Sequence, residues 1–127
     1  MTISVLDASA LLAFLLDEPG GDLVETYLPQ SIISAVNWSE VLQKMQRYGA
    51  DTTGTGADLE ALGVGFMPFE AIDAELSASI WKQGQPYGLS LGDRACLALG
   101  MRLHISIITA DKVWLEAYPN LDIQLIR

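Results

Sequence analysis

Short runs of apolar, mostly β-branched residues recur along the chain and alternate with segments of helical spacing. The runs are Thr2–Leu6, Ser31–Ala35, Gly65–Phe69, Ser106–Thr109 and Asp122–Ile126. Runs this short and this apolar are typical of strands that are buried on both faces of a parallel sheet. The alternation therefore predicts an α/β fold, a three-layer sandwich with a central, mostly parallel sheet of about five strands.

The segments between these runs predict helices, because capping residues, helical spacing and Pro or Gly stops mark their ends. Caps at Ser9, Asn37 and Ser90 predict helices to Leu16, Tyr48 and about Leu103. Further helices are predicted over Asp22–Leu28, Asp51–Leu62, Ala71–Trp81 and Lys112–Ala117. In the helix over Ala71–Trp81, the residues Ile72, Leu76 and Ile80 lie on one helical face. The length of 127 residues predicts one domain spanning residues 1–127.

The charge of the chain bears on its partners. Sixteen acidic residues stand against seven basic ones, for a net charge of −9. This balance excludes a domain that binds nucleic acid through a broad basic surface.

The apolar stretch Ala10–Leu16 is too short to span a bilayer, and no basic residue precedes it as in a signal peptide. With a single cysteine, Cys96, the chain is expected to be a soluble cytoplasmic protein without membrane partners.

Four acidic residues stand at strand ends or helix starts, among apolar neighbours: Asp7, Glu40, Asp93 and Asp111. Such positions meet at the carboxyl edge of a parallel sheet, where ligands usually bind. Converging carboxylates repel one another unless a cation neutralises them. Carboxylate and water oxygens suit Mg²⁺ or Mn²⁺, and the scarcity of His and Cys argues against zinc. We therefore expect a divalent-metal site.

Each of these acids also has a purely local interpretation. Asp7 could be a turn residue or a helix cap, and Asp111 could be a helix cap. Glu40 and Asp93 could each complete a capping box, with Asn37 and Ser90 respectively. Residue spacing leaves these alternatives open.

The contexts of the four acids resemble the PIN-domain nucleases, in particular the VapC-type toxins of prokaryotic toxin–antitoxin pairs. The matching segments are VLDASALLAFLL (Val5–Leu16), NWSEV (Asn37–Val41), LSLGDRACLAL (Leu89–Leu99) and ITADKVW (Ile108–Trp114). They occur in the family's order, and the resemblance extends over nearly the whole chain. The segment Asp51–Gly65 carries no family signature.

The resemblance implies a metal-dependent ribonuclease that hydrolyses RNA phosphodiester bonds. It implies one or two Mg²⁺ or Mn²⁺ ions held by Asp7, Glu40, Asp93 and Asp111, with Ser9 and Thr109 as supporting hydroxyl residues. It also implies a cognate antitoxin that binds across the site, and a homodimer.

Four basic residues are candidates for contacts with RNA phosphates. Lys44 and Arg47 follow Glu40 at helical spacing, and Arg94 and Lys112 directly follow two of the acids. The alternative for Lys44 and Arg47 is an exposed ion pair with Glu40. Adjacent helical residues point about 100° apart, so Arg94 and Lys112 are expected to flank the site.

Two other functions compete with the nuclease. A response-regulator receiver domain has a similar length and an acidic pocket, but it needs paired acids after the first strand and an aspartate after the third. Here Asp7 stands alone, and no aspartate follows the Gly65–Phe69 run directly. A catalytically inactive PIN module that only binds partners is the other alternative, and the presence of all four acids weighs against it.

Overall fold

Five parallel strands form the centre of the molecule, as the sequence predicts. The computed structural model describes residues 3–127, so Thr2 of the first predicted strand lies outside the described residues. The strands are β1 (Ser4–Leu6), β2 (Ser31–Ser34), β3 (Val64–Met67), β4 (Ser106–Thr109) and β5 (Ile123–Leu125). They pair in the order β3-β2-β1-β4-β5, and each pairing is parallel. The central strand β1 therefore directs its carboxyl end to the middle of one sheet edge.

Helices follow the strands and cover both faces of the sheet. They are α1 (Ala8–Leu15), α2 (Gly21–Tyr27), α3 (Ala35–Arg47), α4 (Thr55–Ala61), α5 (Ala71–Ser79), α6 (Trp81–Gly84), α7 (Leu91–Leu103) and α8 (Val113–Ala117). The predicted helix over Ala71–Trp81 is thus divided at Ile80. In the described part of the chain, no helix combines the length and the apolar character needed to cross a bilayer.

Two apolar clusters, one on each face of the sheet, make up the core. Successive strand residues point to opposite faces, so Leu6 and Ile108 join the cluster built with α1–α4, whereas Val5 and Ile107 join the cluster built with α7 and α8. Trp114 is fully buried in the second cluster. The result is the predicted three-layer α/β arrangement.

Two of the predicted helix caps are wrong. Helix α1 follows Asp7 rather than Ser9, and the Asp7 side chain makes no capping bond. Helix α3 begins after Ser34, whose hydroxyl accepts a backbone N–H of the first turn at 3.2 Å, so Asn37 lies inside the helix. The predicted cap at Ser90 is confirmed. The two errors share a cause, because another residue at the strand end already fills the cap position.

Helix α5 packs through a polar face rather than through the face that carries Ile72. Ile72 is 51% exposed, whereas Asp73 and Ser77 are buried. Asp73 forms an ion pair with Arg102 of α7, with 2.8 Å between Oδ1 and Nε. Of the predicted apolar stripe, Ile80 is buried at the end of the helix. The partner offered by α7 decides which face of α5 is buried.

Candidate active site

A cavity of about 350 Å³ opens at the carboxyl edge of the sheet. Its walls come from the segment after β1, from helix α3, from the start of α7 and from the segment after β4. The lining residues are Asp7, Ala8, Ser9, Leu12, Glu40, Gln43, Lys44, Arg47, Asp93 and Asp111. The four acids singled out from the sequence therefore share one cavity.

Asp7 is placed by the end of β1 and is only 5% exposed. Its Oδ2 accepts hydrogen bonds from Ser9 Oγ at 2.6 Å and from Thr109 Oγ1 at 2.9 Å. The same two hydroxyls accept backbone N–H groups, Ala110 N on Ser9 Oγ at 3.0 Å and Asp111 N on Thr109 Oγ1 at 3.1 Å. This network joins the ends of β1 and β4 beneath the Asp7 carboxylate.

Burial raises the pKa of Asp7 from 3.8 to about 6, because the charged form loses hydration. The hydrogen bonds from Ser9 and Thr109 act in the opposite direction, and the charges of Asp93 and Glu40 add to the increase. The Asp7 carboxyl is thus perturbed as expected of a buried group beside like charges.

Glu40 projects into the cavity from helix α3. Its Oε1 accepts a hydrogen bond from Asn37 Nδ2 at 2.9 Å. Partial burial raises the pKa of Glu40; the Asn37 hydrogen bond lowers it, and the nearby Asp93 charge raises it again. The capping-box interpretation of Asn37–Glu40 is wrong, because Asn37 is not the cap of this helix.

Asp93 and Asp111 both combine a structural bond with a place in the cavity. Asp93 forms the predicted capping box, in which its Oδ2 accepts from Ser90 N at 2.8 Å and Ser90 Oγ accepts from Asp93 N at 3.1 Å. Burial raises the pKa of Asp93, and the Asp111 charge adds to this. Asp111 Oδ1 accepts from Val113 N at 3.1 Å at the start of α8.

The four carboxylates share one bonding pattern. In each, one oxygen accepts hydrogen bonds from the fold, and the other accepts none from residues 3–127. The bonded oxygens are Asp7 Oδ2, Glu40 Oε1, Asp93 Oδ2 and Asp111 Oδ1. Each side chain is therefore anchored and still has an oxygen for another partner.

The chemistry of this donor set fits a divalent cation. Hard ions such as Mg²⁺ and Mn²⁺ prefer carboxylate and water oxygens, and a positive charge would relieve the repulsion that raises these pKa values. Across residues 3–127, no three acidic, histidine or cysteine side chains lie close enough together to hold an ion as they stand. The structure thus supplies suitable ligands around one cavity rather than a closed coordination shell.

Two of the four predicted RNA-contacting residues line the cavity. Lys44 and Arg47 follow Glu40 on α3 and form part of the same wall. Gln43 lines it as well and was not singled out from the sequence, although its spacing from Glu40 is helical. One helix thus brings two cations and one acid to the same cavity.

The other two predicted RNA-contacting residues lie outside the cavity lining. Arg94 Nη1 donates to the carbonyl oxygen of Ser77 on α5 at 2.9 Å, and Lys112 is exposed beyond the lining residues. Their chain neighbours Asp93 and Asp111 do face the cavity. Adjacent residues point in different directions, which accounts for this separation.

A comparison with models of protein families shows which family the chain belongs to. The model described as "PIN domain" matches residues 4–119. The chain belongs to the PIN domain family. The resemblance recognised in the four sequence segments is therefore confirmed, and a response-regulator receiver domain is no longer an alternative. Among curated protein sequences, none matches this PIN domain.

Several solved structures share the fold of this PIN domain. A toxin–antitoxin complex from Klebsiella pneumoniae matches with a TM-score of 0.75 at 20% identity, covering 98% of both chains. VapBC-1 from nontypeable Haemophilus influenzae matches with 0.70 at 15% identity, again covering 98% of both chains. VapBC2 from Rickettsia felis, bound to a DNA fragment from its promoter, matches with 0.75 at 12% identity and 98% coverage of both chains.

Proposed function

We propose that residues 1–127 form a single nuclease domain that hydrolyses RNA phosphodiester bonds with Mg²⁺ or Mn²⁺. We further propose that the chain is the toxin of a type II toxin–antitoxin pair. The main support is the cavity itself, in which four carboxylates meet at the carboxyl edge of the sheet, each with one oxygen free of hydrogen bonds from residues 3–127. Membership of the PIN domain family supports the nuclease activity.

The roles of the acids follow from their burial and anchoring. Asp7 and Asp93 are proposed as direct ligands, Glu40 and Asp111 as ligands or holders of ordered water, and Ser9 and Thr109 as the groups that orient Asp7. A bound Mg²⁺ or Mn²⁺ supplies positive charge for the reacting phosphate and lowers the pKa of an attacking water. The anchored carboxylates need little reorganisation for this task, because hydrogen bonds already hold them.

Lys44 and Arg47 are proposed to bind the RNA phosphates next to the acidic group. They lie on the cavity wall formed by α3, where their charges offset the repulsion between RNA and a chain of net charge −9. Arg94 and Lys112 lie outside the lining, so this proposal gives them no contact inside the cavity.

The proposed partners are a cognate antitoxin and a second copy of the chain. The similar solved structures include a toxin–antitoxin complex and two VapBC complexes, which supports an antitoxin for this chain. The acidic cavity suits a basic antitoxin segment placed across it. We propose that the pair acts in the cytoplasm without a membrane partner. A short reading frame beside the gene that encodes a DNA-binding protein would support the pairing.

An RNA-cleavage assay tests the activity. The purified protein is expected to cleave structured RNA with Mg²⁺ or Mn²⁺ and to lose cleavage in EDTA. Asp7→Asn and Asp93→Asn remove proposed ligands and are expected to lower the cleavage rate by about 100-fold or more. Asp17→Asn is the matched control, because Asp17 is exposed and its positive φ of 54° suits Asn equally well.

Two results would contradict the proposal in different ways. Normal cleavage by both Asp7→Asn and Asp93→Asn would make the site assignment wrong. No cleavage of any RNA by the wild-type protein, together with binding of an antitoxin, would favour the catalytically inactive module.

A further inference from the structure

Asn37 is an unexpected polar side chain at the edge of the site. It is fully buried inside helix α3. Its Nδ2 donates to Glu40 Oε1 and to the carbonyl oxygen of Gly92 on α7, both at 2.9 Å. Both partners can only accept, so the orientation of the amide is determined. Asn37 therefore connects an acid of the cavity to the helix that carries Asp93.

The other half of the Asn37 amide supports a specific role for this residue. Its Oδ1 is buried and has no hydrogen-bond partner within residues 3–127. Leaving a buried polar atom unpaired is unfavourable, and such atoms in folded proteins need an explanation. Stability alone does not explain the choice of Asn at this position, whereas a donor that bridges Glu40 and Gly92 does.

Gly92 supplies the space that the Glu40 carboxylate occupies. A Cβ added at Gly92 would lie 2.5 Å from Glu40 Oε1 and 2.6 Å from both Cδ and Oε2. Gly92 lies within α7 and is not among the glycines of positive φ, so its backbone conformation does not call for glycine. Glycine is also less favourable than alanine inside a helix. The absence of a side chain at Gly92 therefore leaves the space in which the Glu40 carboxylate lies.

We infer that Asn37 and Gly92 form a seat for the Glu40 carboxylate, and that these two positioning residues hold the carboxylate near Asp93. The inference rests on the proposed function, in which Glu40 and Asp93 act toward one divalent cation. A glutamate side chain has several rotatable bonds, and the like charge of Asp93 repels its carboxylate. The donor from Asn37 and the space at Gly92 hold it in place despite that repulsion.

Gly92→Ala is the principal test, because the three heavy atoms nearest to the added methyl group all belong to the movable end of Glu40. Calorimetric titration of the metal-free protein with MnCl₂ is expected to show affinity lowered by about 10- to 100-fold, as for other residues that orient ligands. The melting temperature in EDTA is expected not to fall, since alanine favours a helix. A residue with a merely structural role would not separate these two measurements.

A double-mutant cycle makes the test specific to Glu40. Glu40→Ala alone is expected to weaken Mn²⁺ binding. Adding Gly92→Ala to it is expected to cause no further loss, because no carboxylate remains to be displaced.

A second variant tests the amide. Asn37→Asp keeps the shape but replaces the donor with a like charge beside Glu40, so Mn²⁺ affinity is expected to fall by about 10- to 100-fold. Ser39→Ala is the matched control and is expected to bind as the wild type does, because Ser39 is an exposed residue of the same helix outside the cavity lining. If Asn37→Asp does not fold, the cycle with Gly92 still decides the question.

The experiments distinguish an error in the inferred seat for Glu40 from an error in the proposed function. Wild-type affinity in Gly92→Ala, or losses that add to those of Glu40→Ala, would overturn the seat even if Asp93→Asn abolishes cleavage. The expected pattern of Mn²⁺ affinities with no RNA cleavage would leave the seat standing and overturn the nuclease. A wild-type protein that does not bind Mn²⁺ would overturn both the seat and the metal site.

Discussion

At the scale of single residues, the Asp7 carboxylate is held where water barely reaches it. The hydroxyl groups of the nearby Ser9 and the distant Thr109 stabilise its charge, but they do not fully replace the lost hydration, since its pKa is raised to about 6. Such a group lowers the stability of the protein at neutral pH, because the unfolded chain ionises it more readily than the folded one.

Asp7→Asn is therefore expected to stabilise the metal-free fold while it lowers the cleavage rate by about 100-fold or more. Asp7 has a higher pKa in the folded state than the ordinary 3.8, so the folded state holds the proton more tightly, and wild-type stability falls as pH rises from about 4 through about 6. Above this range the variant gains at most about 3 kcal/mol, and below it the two proteins converge. Urea unfolding in EDTA at several pH values measures this.

The variant Asp17→Asn is the control for this experiment and is expected to be about as stable as the wild type, because Asp17 is exposed. An Asp7→Asn protein that is less stable than the wild type at pH 7 would contradict a destabilising effect of the buried Asp7 charge.

Residue types at the site were predictable, but their contacts were not. The sequence segments identify Asp7 and Thr109 as candidates, yet the Asp7–Thr109 hydrogen bond joins positions 102 residues apart in the chain. For Asn37 the sequence suggested the wrong role. Its proximity to a helix start suggests a cap, whereas its hydrogen bond to Gly92 depends on how α3 and α7 pack. Contacts of this kind depend on the tertiary structure.

At the scale of elements, the start of α7 combines a helix cap with a site residue. Ser90 and Asp93 satisfy each other's backbone N–H groups, and Asp93 still reaches the cavity. Local stability and the site therefore depend on the same first turn.

Ser90→Ala is expected to destabilise the fold by about 0.5–2 kcal/mol, because the first turn of α7 loses an acceptor for the Asp93 N–H. Chemical denaturation in EDTA measures the loss. Ser90→Thr retains a hydroxyl and is expected to recover most of the stability, and Ser39→Ala on α3 is expected to have little effect. Equal stability of Ser90→Ala and the wild type would show that the capping box does not stabilise α7.

The elements differ in how well the sequence predicts them. The start of α7 was predicted correctly, since Ser90 and Asp93 lie three residues apart and act on each other. The buried face of α5 does not follow from its apolar spacing, because Ile72 is exposed and an ion pair between Asp73 and Arg102 selects another face. Local signals predict where a helix begins, and a partner helix selects the face that is buried.

At the scale of the whole molecule, the distribution of charge matters more than its sum. The chain has a net charge of −9, and four of its carboxylates line one cavity with Lys44 and Arg47. The excess of acid that excludes a broad basic binding surface is thus partly concentrated where a divalent cation would be held.

Mn²⁺ is accordingly expected to stabilise the folded protein. Ligand binding to the folded state alone adds about 2.7 kcal/mol at a concentration 100 times the Kd, and removal with EDTA reverses it. Melting temperatures measured with MnCl₂, and with NaCl at equal ionic strength, separate a specific site from general screening. Asp93→Asn is expected to lose most of the increase, and an undiminished increase in that variant would argue against a role for Asp93 in binding the ion.

The sequence by itself determined the α/β class, the helix start at Ser90 and the four acids at strand ends and helix starts, because strand propensity, helical spacing and capping act over a few residues. Only the tertiary structure decided the strand order, the face that α5 buries, the exclusion of Arg94 from the cavity and the place of Glu40 over Gly92. These outcomes depend on contacts between segments far apart in the chain, which local propensities do not encode.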